Sequence, residues 1–206
     1  MKILKKLLGK LIRILYRFVY RFIPCQEKTI LFISFHGRGY SDNPMAIHQY
    51  LSKHSQYADY RCIYAIKNHK QKKLKIENAR IIEYFSIAYF FYLARSKYWI
   101  ANCKLPKYVL KKDSQVYLQT WHGTPLKKLA HDIEVPEGTT FYRSEMSVEE
   151  MRSTYDNDVS KYNYMISPSA FTTEVFQSAF AIERERLIET GYPRNDILSN
   201  YNSDDI

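Results

Sequence analysis

From Thr29 to Glu189 the chain alternates short runs of β-branched and aromatic residues with segments of helical periodicity, separated by turn residues. No other feature constrains the fold so strongly, because parallel strands need a crossover connection and a helix of this length provides one. Strands are expected at Thr29–Phe35 (TILFISF), Tyr60–Ile66, Arg80–Tyr84, Tyr98–Ala101, Val116–Thr120, Tyr162–Ile166 and Leu187–Glu189. Helices are expected from Pro44 to His54 and over Ile87–Arg95, Ser147–Tyr155 and Ser169–Phe180, with Asp42 or Asn43 capping the first and Ser169 the last. Thr124 and Pro125 read as the cap and first-turn proline of a further helix starting at Leu126, followed by a loop over Ile133–Thr140. The sum is an α/β chain with a doubly wound, mostly parallel sheet covered by helices on both faces. A length of 206 residues suits one full core with appendages.

The segment before Glu27 breaks the pattern. Lys2, Lys5, Lys6, Lys10, Arg13, Arg17 and Arg21 come with no Asp or Glu and hold +7 of the formal +10, so the rest of the chain carries only +3. On a helix they occupy one arc of about 160°, opposite Leu4, Leu7, Leu8, Leu11, Leu15, Phe18, Val19 and Phe22. Charges recurring at every turn make a transmembrane span costly. Residues 1–24 therefore read as a basic amphipathic helix lying on an anionic membrane surface, its apolar face in the acyl boundary. Packing of this helix on another part of the protein, or on a partner helix, is the competing reading. Before Pro24 there is no continuous apolar core with a small-residue cleavage site, so a peripheral protein on the cytoplasmic side of the cell membrane is expected. The uneven charge argues against nucleic acid as a partner, since no basic stripe joins a groove-reading motif and Lys67–Lys75 (KNHKQKKLK) reads as a solvated connection. Cys25, Cys62 and Cys103 lack metal-ligand spacing and read as reduced structural thiols.

Chemistry is best placed at His122, which directly follows an apolar strand in the run Gln119–Lys128 (QTWHGTPLKK). Ligands of open α/β sheets sit outside the carboxyl ends of the strands. Gly123 permits close approach of a ligand, the expected helix offers free N–H groups from Thr124 onward, and Lys127 and Lys128 add positive charge. Together these describe a phosphate site beside a general base. The alternative is a structural histidine packed by Trp121 and bonded to the backbone. His36, His48, His54, His69 and His131 read as structural or solvated. Asp42 and Asn43 have a capping role as the preferred reading and acceptor contact as the other, while Arg194 and Asp196 belong to a hinge, the cleft or the surface. No carboxylate cluster suggests a metal site.

The run QTWHGTPLKK resembles the signature of the CDP-glycerol glycerophosphotransferase family, whose members prime or polymerise teichoic acid. Tyr40–Pro44 (YSDNP), Ser167–Ser169 (SPS) and Gly191–Asp196 (GYPRND) agree in order, so that the resemblance covers Thr29 to Leu198. It implies the N-terminal, acceptor-side half of a GT-B glycosyltransferase-like fold, with a Rossmann-like domain over residues 25–198. It implies a reaction in which an acceptor hydroxyl attacks the β-phosphorus of CDP-glycerol and CMP leaves, with His122 as the base. Gly123, Thr124, Lys127, Lys128, Asp42, Asn43 and Arg194 are the candidate substrate contacts, and no cofactor is expected beyond the donor substrate. The implied partners are an anionic membrane, a lipid-linked glycerol phosphate acceptor, and a separate donor-binding half or a homo-oligomer. Two departures stand out. Leu129–Asp132 (LAHD) replaces a Gly-containing stretch, and the donor-binding half is absent, so the chain alone is expected to be inactive, with residues 199–206 a polar tail at a truncation point. A non-catalytic module that holds a polyanionic acceptor at the membrane is the alternative.

Overall fold

The computed structural model describes residues 2–71, 73–134, 136, 140–141 and 146–200. The expected tail at 199–206 lies outside them from residue 201 onward, as does most of the second half of the expected 133–140 loop.

Among the described residues one sheet has seven strands: β1 (Gln26–Ile33), β2 (Arg61–Ile66), β3 (Ala79–Glu83), β4 (Ser96–Ala101), β5 (Val116–Gln119), β8 (Tyr164–Ser167) and β9 (Leu187–Glu189). They lie in the order β3-β2-β1-β4-β5-β8-β9, and every pairing is parallel. Strand order thus reverses between β1 and β4, the switch point of a Rossmann-like doubly wound fold. A two-stranded antiparallel ribbon, β6 (Thr140–Phe141) with β7 (Met146–Ser147), was not foreshadowed by any periodicity, since two residues carry none.

Alternation along each strand builds two separate cores. Leu31, Ile33, Ile63, Ala65, Trp99, Ala101 and Tyr117 face one way, onto α3 (Ile87–Arg95), α5 (Ala170–Phe180) and Tyr16 of α1 (Lys2–Val19). Ile30, Phe32, Cys62, Tyr64, Ile66 and Ile100 face the other, against Ile47 and Leu51 of α2 (Asp42–Lys53). Fully burying a side chain such as Phe32 or Phe176 stabilises by about 1.5–3 kcal/mol, so strict alternation fixes the register of each strand. Burial pushes the Cys62 and Cys103 thiols up to about 11, and the three cysteines are unpaired.

Helix starts follow from short polar side chains. Ser86 and Ser169 accept the Tyr89 and Thr172 backbone N–H groups, and Ser147 with Glu150 forms a reciprocal capping box on α4 (Val148–Val159). Helix α2 departs from expectation, because Ser41 occupies the cap position and neither Asp42 nor Asn43 caps. Both side chains are held elsewhere, as described below.

Among the described side chains, helix α1 packs by one edge. The Tyr16 hydroxyl donates to the Leu110 carbonyl at 2.9 Å, its ring meets Phe90, and Tyr20 and Ile23 pack beside it. Leu15, Phe18, Val19 and Phe22 remain in solvent, Phe22 at 83% exposure. No helix among the described residues is long and apolar enough to cross a membrane.

Candidate active site

The carboxyl ends of β1, β4 and β5 converge on one loop cluster. After β1 the chain turns through Phe35, His36 and Gly37, all with left-handed backbone (φ 44°, 55° and 80°). Gly37 is required there, since a Cβ would lie 2.7 Å from Cγ of the Tyr84 ring. Asp42 and Trp121 are also left-handed, so four non-glycine residues in this costly conformation gather around one site.

His122 follows β5 and is held from three sides. Its ring stacks on Trp121 (centroids 4.6 Å apart), and the Phe35 ring approaches edge-on at 5.7 Å. Trp121 is itself anchored between Phe176 and Phe180 of α5. Nδ1 of His122 lies 2.6 Å from the Asn102 carbonyl oxygen. A carbonyl only accepts, so Nδ1 carries the proton and Nε2 of the neutral ring presents a lone pair. The bond that fixes the ring also fixes the tautomer, so packing against Trp121 and bonding to the backbone leave Nε2 able to accept a proton.

Asn102 was not singled out by its sequence context, although a polar residue directly after the apolar run Tyr98–Ala101 is a usable signal in an open sheet. Fully buried, it accepts the Phe35 N–H at 2.8 Å through Oδ1 and donates to Asp42 at 2.5 Å through Nδ2. One residue therefore joins the β1 turn, the start of α2 and the His122 ring.

The sequence stretches around Asp42 and Arg194 meet behind the same loop. Asn43 is fully buried; its Nδ2 donates to the Thr120 and Trp121 carbonyls (3.3 and 3.1 Å), and its Oδ1 accepts the Arg194 N–H at 3.2 Å. The Arg194 guanidinium donates to the His122 carbonyl at 3.0 Å and pairs with the Asp42 carboxylate. Tyr192 donates its hydroxyl to the Gly123 carbonyl at 2.8 Å. Asp42 and Asn43 serve these bonds instead of the cap because each is drawn toward backbone or charge that would otherwise be buried unpaired.

The helix expected from Leu126 does not form. Residues 124–129 are irregular, and only a single 3-10 turn, Ala130–Asp132, follows. Leu126, Leu129, Ala130 and Ile133 would share one face of such a helix, but Leu126 is 93% exposed and only Ala130 is fully buried, so the fold does not dock that face, and a short undocked helix is unstable in water. The anion-binding helix N-terminus is therefore absent. Thr124, Lys127 and Lys128 lie in solvent, and Lys128 pairs with Glu134 at 2.5 Å. The structure thus brings His122, Gly123, Asp42, Asn43 and Arg194 together and leaves Thr124, Lys127 and Lys128 on the outside.

Charge near the ring comes from other residues. His36 is held below the usual histidine range, first by burial and then by Lys67, Arg38, Lys104 and His122. Burial likewise lowers the Lys104 ammonium to about 8.

Comparison with known proteins places the chain in a family. The family described as CDP-Glycerol:Poly(glycerophosphate) glycerophosphotransferase matches residues 14–206. The teichoic acid poly(glycerol phosphate) polymerase of Staphylococcus epidermidis is 40% identical over 179 residues, covering 86% of this chain and 23% of that one. The teichoic acid glycerol-phosphate transferase of Staphylococcus aureus is 37% identical over 177 residues, covering 85% of this chain and 43% of that one. The solved structure of the wall teichoic acid polymerase TagF superposes with a TM-score of 0.85 at 36% identity, over 94% of this chain and 45% of that chain. The chain thus spans less than half the length of each of these relatives. With the match running through the sheet, the His122 loop and the Gly191–Asp196 stretch alike, the chain belongs to the CDP-Glycerol:Poly(glycerophosphate) glycerophosphotransferase family.

Proposed function

We propose that this chain forms the acceptor wall of a glycerophosphotransferase cleft at the cytoplasmic face of the cell membrane. In this reading a hydroxyl of a lipid-linked glycerol phosphate acceptor attacks the β-phosphorus of CDP-glycerol. The new O–P bond forms as the bond to CMP breaks, and the hydroxyl proton passes to Nε2 of His122. The observation that carries the reading is the 2.6 Å contact between Nδ1 and the Asn102 carbonyl, which commits Nδ1 as a donor and makes Nε2 the nitrogen that can take up a proton. Phosphoryl transfer rests on positioning and charge stabilisation, so one wall does little without groups that hold the nucleotide. The donor-binding groups are assigned to a second half, in the same or another polypeptide.

The test is CMP release from CDP-glycerol with a lipid-linked glycerol phosphate acceptor, using this chain joined to the donor half of a relative. The joined protein is expected to turn over and the unjoined chain to be silent. His122→Ala in the joined protein is expected to lower kcat by about a hundredfold to ten-thousandfold, the usual worth of a positioned base. Turnover that survives His122→Ala removes the base assignment. Silence of the joined wild type together with acceptor binding would favour a non-catalytic acceptor-holding module.

A further inference from the structure

A second feature opens at the same strand ends. A cavity of about 690 Å³ is walled by His36 after β1, by Lys104 and Lys107 after β4, and by Met146, Thr154 and Tyr155 from β7 and α4. It therefore sits at the β1/β4 switch point, the place where open α/β sheets take their ligands. His122, at the end of neighbouring β5, lies one to two strand spacings away, roughly 5–10 Å.

Lys104 is the unusual member. Its Nζ donates to Thr154 Oγ1 at 2.9 Å and rests 3.4 Å from the centre of the Tyr155 ring, yet it forms no salt bridge among the described residues. The carboxylate that acts on it, Asp158, is turned away and accepts the Leu105 N–H at 3.0 Å and the Tyr162 hydroxyl at 2.6 Å. Glu150, also on the wall, is committed to the capping box of α4. A half-buried ammonium with no salt-bridge partner among the described residues is costly, and an anionic ligand relieves the cost. The Met146, Met151 and Tyr155 side chains give the wall an apolar lining, and low-dielectric surface beside a charge strengthens a phosphate–ammonium contact made there.

Building on the acceptor reading above, we infer that this cavity is a phosphodiester subsite, in which Lys104, assisted by His36 and Lys107, holds the phosphate preceding the hydroxyl presented to His122. The acceptor chain then runs across the ends of β5, β4 and β1. Specificity for a polymeric phosphodiester over a lone hydroxyl compound arises at this subsite, apart from the reacting centre.

Binding can be read without any donor or turnover. The chain is titrated with synthetic tri(glycerol phosphate), and separately with inorganic phosphate, by calorimetry. Lys104→Met is expected to weaken trimer binding by about tenfold or more, and Lys104→Arg to stay near wild type, since a charge-assisted hydrogen bond is at stake. In the wild type the trimer is expected to shift the backbone NMR signals of Thr154 and Tyr155, a readout that needs no variant. Unchanged affinity in Lys104→Met, no shift at Thr154 and Tyr155, or inorganic phosphate binding as tightly as the trimer each overturns the subsite. Lys104-dependent trimer binding alongside a joined protein that does not turn over would leave the subsite standing and remove the reaction. Turnover with Lys104-independent trimer binding would do the reverse.

Discussion

Asn43 commits both ends of its amide to backbone groups of other segments, the Thr120 and Trp121 carbonyls and the Arg194 N–H. Its side chain does for the His122 loop what a strand partner does for a strand, because the loop leaves β5 in a left-handed step and has no ladder of its own. Asn43→Ala leaves those buried groups unpaired, each at about 1–3 kcal/mol. The expected loss is about 3 kcal/mol of unfolding free energy by chemical denaturation, with an unchanged m-value; a loss below about 1 kcal/mol would mean that water replaces the amide. His122 was legible from its position after a strand and its motif, whereas Asn43 was misjudged. Local spacing shows a cap three positions ahead, but the partners that claim this side chain lie 77, 78 and 151 residues away.

At the scale of elements, the two periodicities were readable wherever packing enforces them. Ile87–Arg95 and Leu187–Glu189 match expectation to the residue, and the other strands of the sheet start or stop within three. The helix expected at Leu126 shows the limit: Thr-Pro carries a true start signal and Leu126, Leu129, Ala130 and Ile133 follow at helical spacing, but the fold leaves Leu126 in solvent, and caps do not hold a helix that nothing docks. Helix α1 is the opposite case, with a strong face that the described fold leaves largely uncovered. Tyr16, Tyr20 and Ile23 attach it, so Leu15 and Phe18, exposed at 52% and 70%, are free to enter a bilayer without undocking the helix. Leu15→Glu with Phe18→Glu is expected to reduce binding to phosphatidylglycerol-containing vesicles by about a hundredfold, from two apolar side chains at about 1.5–3 kcal/mol each. Sedimentation with vesicles measures it. Binding that persists would assign the stripe to a protein partner instead.

Over the whole molecule, the end of α4, the loop after β4 and the turn before β8 are tied through Asp158, which lies fully buried between the Leu105 N–H and the Tyr162 hydroxyl. Burial raises its carboxyl to about 6 from an ordinary 3.8, against the opposing pull of Tyr162, Lys161, Leu105 and Lys104. The folded state therefore binds this proton more tightly than the unfolded chain does. Its stabilising contribution is complete below pH 3.8 and is lost as pH rises through about 6, a swing of about 3 kcal/mol. His36 and His48, both lowered by burial, work in the opposite sense over the acid range, so the total stability curve hides the effect. The difference between wild type and Asp158→Asn isolates it, because asparagine imitates the neutral carboxyl and keeps an acceptor for the Leu105 N–H. Measured by denaturation between pH 4 and 7, the variant is expected to gain on the wild type by about 3 kcal/mol as pH rises, with most of the change completed by pH 6. A difference that stays flat with pH would show that Tyr162 and the nearby lysines already stabilise the charged carboxylate.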